Sequence, residues 1–91
     1  MKSEVRNNEA KGQYELEVEG RLALAAYRLG DGRITFTHTE VPDELEGRGI
    51  GSRLVEAALE DARERGLKVV PACPFVKHYM DKHPETQDLM A

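Results

Sequence analysis

The sequence predicts a small α/β (α+β) domain: a three-stranded antiparallel meander, a helix, a parallel fourth strand and a C-terminal helix. Three observations support this prediction. Segments in the first half alternate in polarity or are rich in strand-forming residues. A glycine-rich segment then leads into an apolar stripe of helical spacing, and a short apolar run follows it. The 91 residues suffice for one domain (1–91) without disulfides or metals.

The three strands of the meander are predicted between residues 14 and 39. In the first, apolar residues alternate with glutamates from position 14 to position 19. The second, residues 22–29, is apolar on both faces, which predicts a sheet covered on both sides. Gly30-Asp31-Gly32 indicates a hairpin turn, and Ile34, Phe36 and His38 then alternate with threonines. Residues 1–12 form a polar lead-in that we expect to be loosely ordered.

The second half is predicted to contain two helices around one strand. Apolar residues from 50 to 62 form a single stripe; Asp61 and Arg65 can pair one turn apart, and Gly66 stands where a C-terminal glycine cap belongs. Residues 67–70 form a short apolar strand, parallel to the third strand because a helix carries the crossover. Residues 74–82 predict a second helix, and residues 84–91 a short tail with room for a helical turn.

Composition excludes several classes of function. A formal net charge of −4 and a pI near 5.4 disfavour binding to nucleic acid or to an anionic membrane. No apolar stretch approaches the roughly 20 residues of a membrane span, and the polar start lacks a signal-peptide segment. The single cysteine excludes an internal disulfide and fits a reducing compartment. We therefore expect a cytoplasmic domain with neither nucleic-acid nor membrane partners.

Glycines at positions 47, 49 and 51 stand directly before the first helix. The unpaired N–H groups and the dipole of that helix favour an anion, most simply a phosphate. A P-loop is excluded because no lysine follows the glycines, and a dinucleotide fingerprint fits poorly because Ser52 replaces its last glycine. The residues expected to hold the phosphate are Gly47, Arg48, Gly49, Ile50, Gly51, Ser52 and Arg53.

Four stretches resemble a known family. They are His38-Thr-Glu-Val-Pro, Glu46-Gly-Arg-Gly-Ile-Gly, Val69-Val-Pro-Ala-Cys-Pro-Phe-Val, and Tyr79 followed by Asp81-Lys-His-Pro. Together they resemble the GNAT (GCN5-related) N-acetyltransferase superfamily, and more closely its very small single-domain branch with a cysteine after the fourth strand. The resemblance covers almost the whole chain. One departure is Glu46, where the superfamily usually has glutamine or arginine.

The resemblance implies a minimal GNAT-like fold that binds acetyl-CoA and transfers its acetyl group to an amine. The glycine loop would hold the pyrophosphate. The end of the preceding strand, at Thr39, Glu40 and Val41, would hydrogen-bond the pantetheine arm. The acceptor is an unidentified small molecule or protein amine. The chain is short for this superfamily, so the acceptor site would be open or completed by a second copy, in a monomer or a homodimer.

Four residues are candidates for the chemistry. Cys73 is expected to cap the second helix because Pro74 suits the first helical position, and a helix N-terminus stabilises a thiolate. The resemblance also points to Cys73 as the candidate catalytic residue. It would either attack the thioester and form an acetyl-cysteine, or the acetyl group would pass directly from acetyl-CoA to the amine. The alternative is an inert buried thiol.

Tyr79 matches the tyrosine that protonates the departing thiolate in many members of the superfamily, and its alternative is helix packing. His38 and Glu40 are candidates for the base, with a partly buried structural histidine as the alternative. His78 and His83 lack zinc spacing, so no metal is expected. A different class of function also stays open: a non-catalytic module that binds acyl-CoA and reports it to a partner.

Overall fold

In the computed structural model, which describes residues 4–91, five strands form one sheet. In chain order and in sheet order they are β1 (Arg6–Asn8), β2 (Gln13–Val18), β3 (Arg21–Gly30), β4 (Arg33–Glu40) and β5 (Lys68–Pro71). The first four strands pair antiparallel, and β5 runs parallel to β4. This arrangement confirms the predicted meander and its parallel partner.

Helices α1 (Ile50–Glu64) and α2 (Pro74–Lys82) follow β4 and β5, and short 3-10 helices occupy Asp43–Leu45 and Pro84–Leu89. The end of α1 is a Schellman motif: the N–H of Leu67 donates to Ala62 O at 2.9 Å and the N–H of Gly66 to Arg63 O at 3.1 Å. The predicted glycine cap is therefore confirmed. The predicted ion pair is also present, with Arg65 Nε 3.2 Å from Asp61 Oδ2. Within residues 4–91, neither helix is long and apolar enough to cross a membrane.

The strand β1 lies in a segment for which we expected loose order. Polar side chains hold it: Asn8 Nδ2 donates to the buried carboxylate of Glu15 at 3.0 Å, and the Tyr27 hydroxyl donates to Asn7 Oδ1 at 2.5 Å. Such contacts leave no apolar periodicity, so the sequence pattern could not indicate the strand. The first part of the predicted lead-in, residues 1–3, lies outside the described residues.

The hydrophobic core lies on one face of the sheet, against the two helices. The buried residues from the sheet are Tyr14, Leu16, Ala23, Ala25, Tyr27, Ile34, Phe36 and Val69, and those from the helices include Leu54, Val55, Ala58, Leu59, Val76 and Met80. On the other face Leu24 and Ala26 are only half-buried, and Leu22 is 41% exposed. The expectation of a sheet covered on both sides is therefore wrong, and the apolar residues on that second face of β3 lie beside polar side chains such as Glu15.

A β-bulge interrupts β4 at Thr37. The pair Tyr27↔Phe36 is followed by the pair Ala26↔His38, so Thr37 is an extra residue without a counterpart on β3. Phe36 points into the core, whereas His38 lies opposite half-buried Ala26 on the other face and is exposed. The expectation that His38 lies on the same face as Ile34 and Phe36 is therefore wrong, because one extra residue reverses which side chains face the core.

The same region separates β4 from β5. Pairing between these strands ends at Phe36↔Pro71, and the N–H of Cys73 then donates to Phe36 O at 2.8 Å. From His38 to Glu40, β4 is paired with β3 alone among the described residues. We call this opening between the end of β4 and the start of α2 the strand fork.

Candidate functional site

A cavity of about 830 Å³ opens beside the strand fork, between the end of β4 and the start of α1. Its walls include most of the residues predicted to bind the cofactor, namely Thr39, Val41, Gly47, Gly49, Ile50, Gly51 and Ser52, together with Glu40. The structure therefore brings together the strand end and the glycine loop, which are separated in the sequence by the 3-10 helix.

The glycine loop presents unpaired backbone donors to this cavity. Gly49 is the N-cap of α1 with φ of 73°, and Gly47 has φ of 83°, both in the left-handed region that side chains disfavour. The N–H of Arg53 donates to Gly49 O at 3.0 Å and begins the helical ladder, so the donors of residues 50–52 precede it. The first turn holds no acidic residue. This end of the cavity suits an anion.

Phe75 forms an apolar wall at the anion end. A Cβ built on Gly51 would lie 2.6 Å from Phe75 Cζ, so the ring of Phe75 approaches the first turn of α1 in a way that only glycine allows. The ring is 42% exposed, and Leu22 faces the same cavity from β3. These two apolar walls were not predicted as part of the site, and their half-exposure is visible only once the fold is known.

The two predicted arginines differ in what they contact. The guanidinium of Arg48 makes two hydrogen bonds to the carboxylate of Glu19, each 3.1 Å long, and does not line the cavity. These bonds lower the pKa of Glu19 below its ordinary value. Arg53 does not line the cavity either, but it directly follows Ser52, which does; it is exposed, and its side chain makes no hydrogen bond or ion pair within residues 4–91. Arg53 is therefore the predicted cation available to an incoming anion.

Three carboxylates also line the cavity. Glu40, Asp43 and Glu46 all contribute to the wall. His38 donates to Glu40 Oε2 at 2.6 Å through Nε2, and both side chains are more than half exposed. One cavity thus combines an anion-binding end with an acidic wall, an arrangement suited to two ligands of opposite charge.

Cys73 lies behind the cavity wall. It is the N-cap residue of α2, as predicted, but it is 4% exposed and does not line the cavity. Its Sγ lies 3.2 Å from the hydroxyl of Thr39, which does line the cavity. The bulge in β4 makes this contact possible because it turns Thr39 toward the core face.

Tyr79 lies elsewhere. Its ring stacks on His83 with centroids 3.9 Å apart, beside a smaller cavity of about 150 Å³ that Glu56 and Glu85 also line. Burial, followed by the nearby carboxylates of Glu56, Glu85 and Glu60, raises the pKa of Tyr79 and keeps the phenol protonated. Among the described residues, no group of three or more His, Cys, Asp or Glu side chains is placed to hold a metal ion. The predicted catalytic residues are thus divided: Glu40 lines the main cavity beside His38, Cys73 lies behind the wall, and Tyr79 lies at the smaller cavity.

A family model described as GCN5-related N-acetyl-transferase matches residues 13–89 of the chain. The match includes β2, β3, β4, the glycine loop, both helices and β5. It therefore spans the cavity and each of the candidate residues given above.

Curated relatives and a solved structure agree with this match. The chain is 31% identical to Protein NATD1 of Xenopus tropicalis over 88 residues, which are 93% of this chain and 81% of that protein. It is 32% identical to Protein NATD1 of Homo sapiens, covering 93% of this chain and 78% of that one. The solution structure of a GCN5-like protein from Staphylococcus aureus superposes with a TM-score of 0.75 at 35% identity, covering 98% of this chain and 88% of that chain.

Proposed function

The chain belongs to the GCN5-related N-acetyltransferase family, and from this membership we propose that it transfers an acetyl group from acetyl-CoA to an amine. The observation that carries the proposal is the cavity between β4 and α1, with its glycine loop and its unpaired helix donors. When bound, acetyl-CoA supplies the acetyl group as a reactive thioester.

The residues of the chain fit this cofactor. The N–H groups of residues 50–52 would donate to the pyrophosphate, and Arg53 would add a charge-assisted contact. A side chain at position 51 would occupy space next to Phe75, so Gly51 keeps this end of the cavity open. Glu46 lines the cavity and is unfavourable for an anion, and the backbone donors at the helix start would have to outweigh it.

The strand fork supports binding of the extended arm of the cofactor. Beyond Phe36, one edge of β4 has no strand beside it among the described residues. The unpaired backbone groups of Thr39 and Val41 would pair with the amides of the pantetheine arm, as the edge of a sheet pairs with an added strand.

The acidic wall supports an amine as the acceptor. An amine is cationic before reaction and is drawn to Glu40, Asp43 and Glu46. It must lose a proton before it attacks a carbonyl carbon, and the hydrogen-bonded pair of His38 and Glu40, of which Glu40 lines the cavity, would accept that proton. The proposed acceptor is the amine of a small molecule or of a protein. We propose that the chain acts in the cytoplasm, as a monomer or a homodimer.

Cys73 and Tyr79 would handle the thiol side of the reaction. Thr39 lines the cavity and its hydroxyl lies 3.2 Å from Cys73 Sγ, so this one side chain stands between the thiol and the cavity. Cys73 then either acts as a nucleophile or forms no covalent intermediate while the acetyl group passes directly from acetyl-CoA to the amine. Tyr79 is protonated and could donate its proton only if it reached the main cavity from its position at the smaller one.

The distance of Cys73 and Tyr79 from the main cavity favours a second candidate function. Neither Cys73 nor Tyr79 lines the main cavity, so the chain presents a cofactor site without a complete set of catalytic groups around it. This arrangement suits a module that binds acyl-CoA and reports it to a partner without chemistry.

Mass spectrometry of the intact protein mixed with acetyl-CoA tests the proposal. A native complex, together with turnover of at least one amine, supports the enzyme; a native complex without turnover of any amine in a broad panel supports the binding module. An acetyl group that survives denaturation in the parent and is absent from Cys73→Ala assigns the nucleophile. Absence of any complex overturns both functions.

A further inference from the structure

The glycine loop is fixed by few contacts. Cβ atoms built on Gly47 and Gly49 would have nothing within 4 Å, so the space on the side-chain side of the loop is open at these positions. Leu45 and Ile50 are buried on either side and hold the two ends. Between them, glycines on both sides of Arg48 leave the backbone conformationally free.

Two ion pairs join this loop and the 3-10 helix before it to the hairpin between β2 and β3. Arg48 pairs with Glu19 through both guanidinium nitrogens at 3.1 Å, and Arg21 lies 3.6 Å from Glu44. Each of the two segments contributes one acidic and one basic side chain, so the hairpin supplies the acid of one pair and the base of the other. We call these two ion pairs the hairpin clamp.

The hairpin is a rigid support for the clamp. Val18 pairs with Arg21 across a two-residue turn in which Glu19 has φ of 53° and Gly20 has φ of 77°. Asparagine, aspartate or glycine is the usual first residue of such a turn, and glutamate there is disfavoured by its side chain. A disfavoured residue held at one position suggests that its side chain has a role, and here the carboxylate of Glu19 holds Arg48.

We propose that Glu19 is a positioning residue for the anion site: through Arg48, it holds the glycine loop in the conformation whose N–H groups point into the cavity. Arg48 then serves as the anchor of the loop and not as a ligand of the phosphate, because two nitrogens of its guanidinium are already bonded to the carboxylate of Glu19. This inference rests on the proposed cofactor site but makes a separate statement about the free protein.

The test compares Glu19→Gln with the parent in two measurements. Binding of coenzyme A by titration calorimetry gives the dissociation constant, and backbone ¹⁵N relaxation of the ligand-free protein gives order parameters for Gly47 and Gly49. We expect a dissociation constant about threefold higher and lower order parameters at both glycines. Asp81→Asn is the matched control, because it removes an exposed ion pair with Lys77 of 2.9 Å on α2, away from the loop.

A charge exchange distinguishes positioning from direct contact. The double variant Glu19→Arg with Arg48→Glu rebuilds the ion pair in reverse, and we expect it to restore both the order parameters and the affinity. Restored order without restored affinity would overturn the proposal, since Arg48 would then contact the phosphate itself. Unchanged order parameters in Glu19→Gln, or tighter binding, would also overturn it. If the parent binds no coenzyme A, the proposed function fails while the order parameters still decide whether the clamp exists.

Discussion

Gly51, in the first turn of α1, lies against the ring of Phe75, near the start of α2. A methyl group on residue 51 would lie 2.6 Å from Cζ of that ring. The contact joins the two helices directly at the anion end of the cavity.

For this reason Gly51→Ala is expected to separate stability from binding. Alanine favours the helix, and the half-exposed ring can swing aside, so the free energy of unfolding should change by no more than about 1 kcal/mol. The methyl group and the displaced ring would then obstruct the donors of residues 50–52, and coenzyme A should bind more weakly. Calorimetric titration alongside urea unfolding measures both effects. Unaltered affinity would place the phosphate elsewhere.

Arg53→Gln tests the available cation. The Arg53 side chain has no hydrogen-bond or ion-pair partner within residues 4–91, so its removal should cost the free protein little, whereas a bound anion would lose a charge-assisted contact. The dissociation constant for coenzyme A should rise about two- to fivefold and become less sensitive to salt. Arg28→Gln serves as control because Arg28 pairs with Thr35, toward the opposite end of β4. Equal effects of the two variants would show only a general charge effect.

Cys73→Ala should leave binding intact and remove any acetylation. The sulfur is 4% exposed and does not line the cavity, so coenzyme A should bind with unchanged affinity. The loss of a small buried group should cost about 1 kcal/mol of stability. Denaturing mass spectrometry after incubation with acetyl-CoA compares the parent with the variant. An acetyl adduct that persists in the variant would exclude Cys73 as its position.

Glu15→Gln should weaken the fold and change its dependence on pH. The pKa of Glu15 is lowered because Gln13 donates to its carboxylate at 2.6 Å, with further donors from Asn8 and Arg6. The charged form is therefore favoured in the folded state, and its stabilisation is fully present above the unfolded pKa of about 4.3 and lost as pH falls through the folded pKa.

At pH 7 the variant should lose about 1–2 kcal/mol, and the two proteins should converge in stability below pH 4. Urea unfolding at pH values from 7 to 3 follows the difference. Glu17→Gln, an exposed carboxylate two residues along β2, is the control. A constant difference between Glu15→Gln and the parent across this range would contradict the assignment.

Tyr14→Phe should loosen the contact between β2 and α1. The Tyr14 hydroxyl donates to Asp61 Oδ2 at 2.6 Å, and Asp61 also pairs with Arg65. Burial and the hydrogen bond to Asp61 raise the pKa of Tyr14 well above its ordinary value, so the hydroxyl stays a donor at any working pH. We expect a loss of about 1–2 kcal/mol. A double-mutant cycle with Asp61→Asn isolates the pair, and additive losses would show that the two side chains do not interact.

The sequence predicted the elements whose signals are local. The stripe of α1, its glycine cap and the proline at the start of α2 each follow from residues within a few positions of one another, and the structure has them where expected. The strand β1 was missed because its support comes from Glu15 and Tyr27, which lie across the sheet. The bulge at Thr37 was missed because it is a mismatch between β3 and β4, and no single strand contains that information.

The candidate site divides in the same way. The glycine loop could be recognised from its own residues, since both the backbone freedom and the helix start are local. The side-chain environments could not. Arg48 meets Glu19, which is 29 positions earlier in the chain, and Tyr79 meets Glu56 and Glu85 only because α2 packs beside α1 and the tail. Contacts of this kind depend on the packing of whole elements.

In the proposed complex, the cofactor would act as an additional strand at the strand fork. A sheet that ends early on one strand leaves a row of main-chain donors and acceptors, and a ligand with amides at strand-like spacing completes it. The same edge would accept a short extended peptide, because a peptide presents the same amides in the same spacing. A peptidic inhibitor of this fold would therefore start from the backbone of β4 beyond Phe36, where hydrogen bonds to the protein depend on no particular side chain.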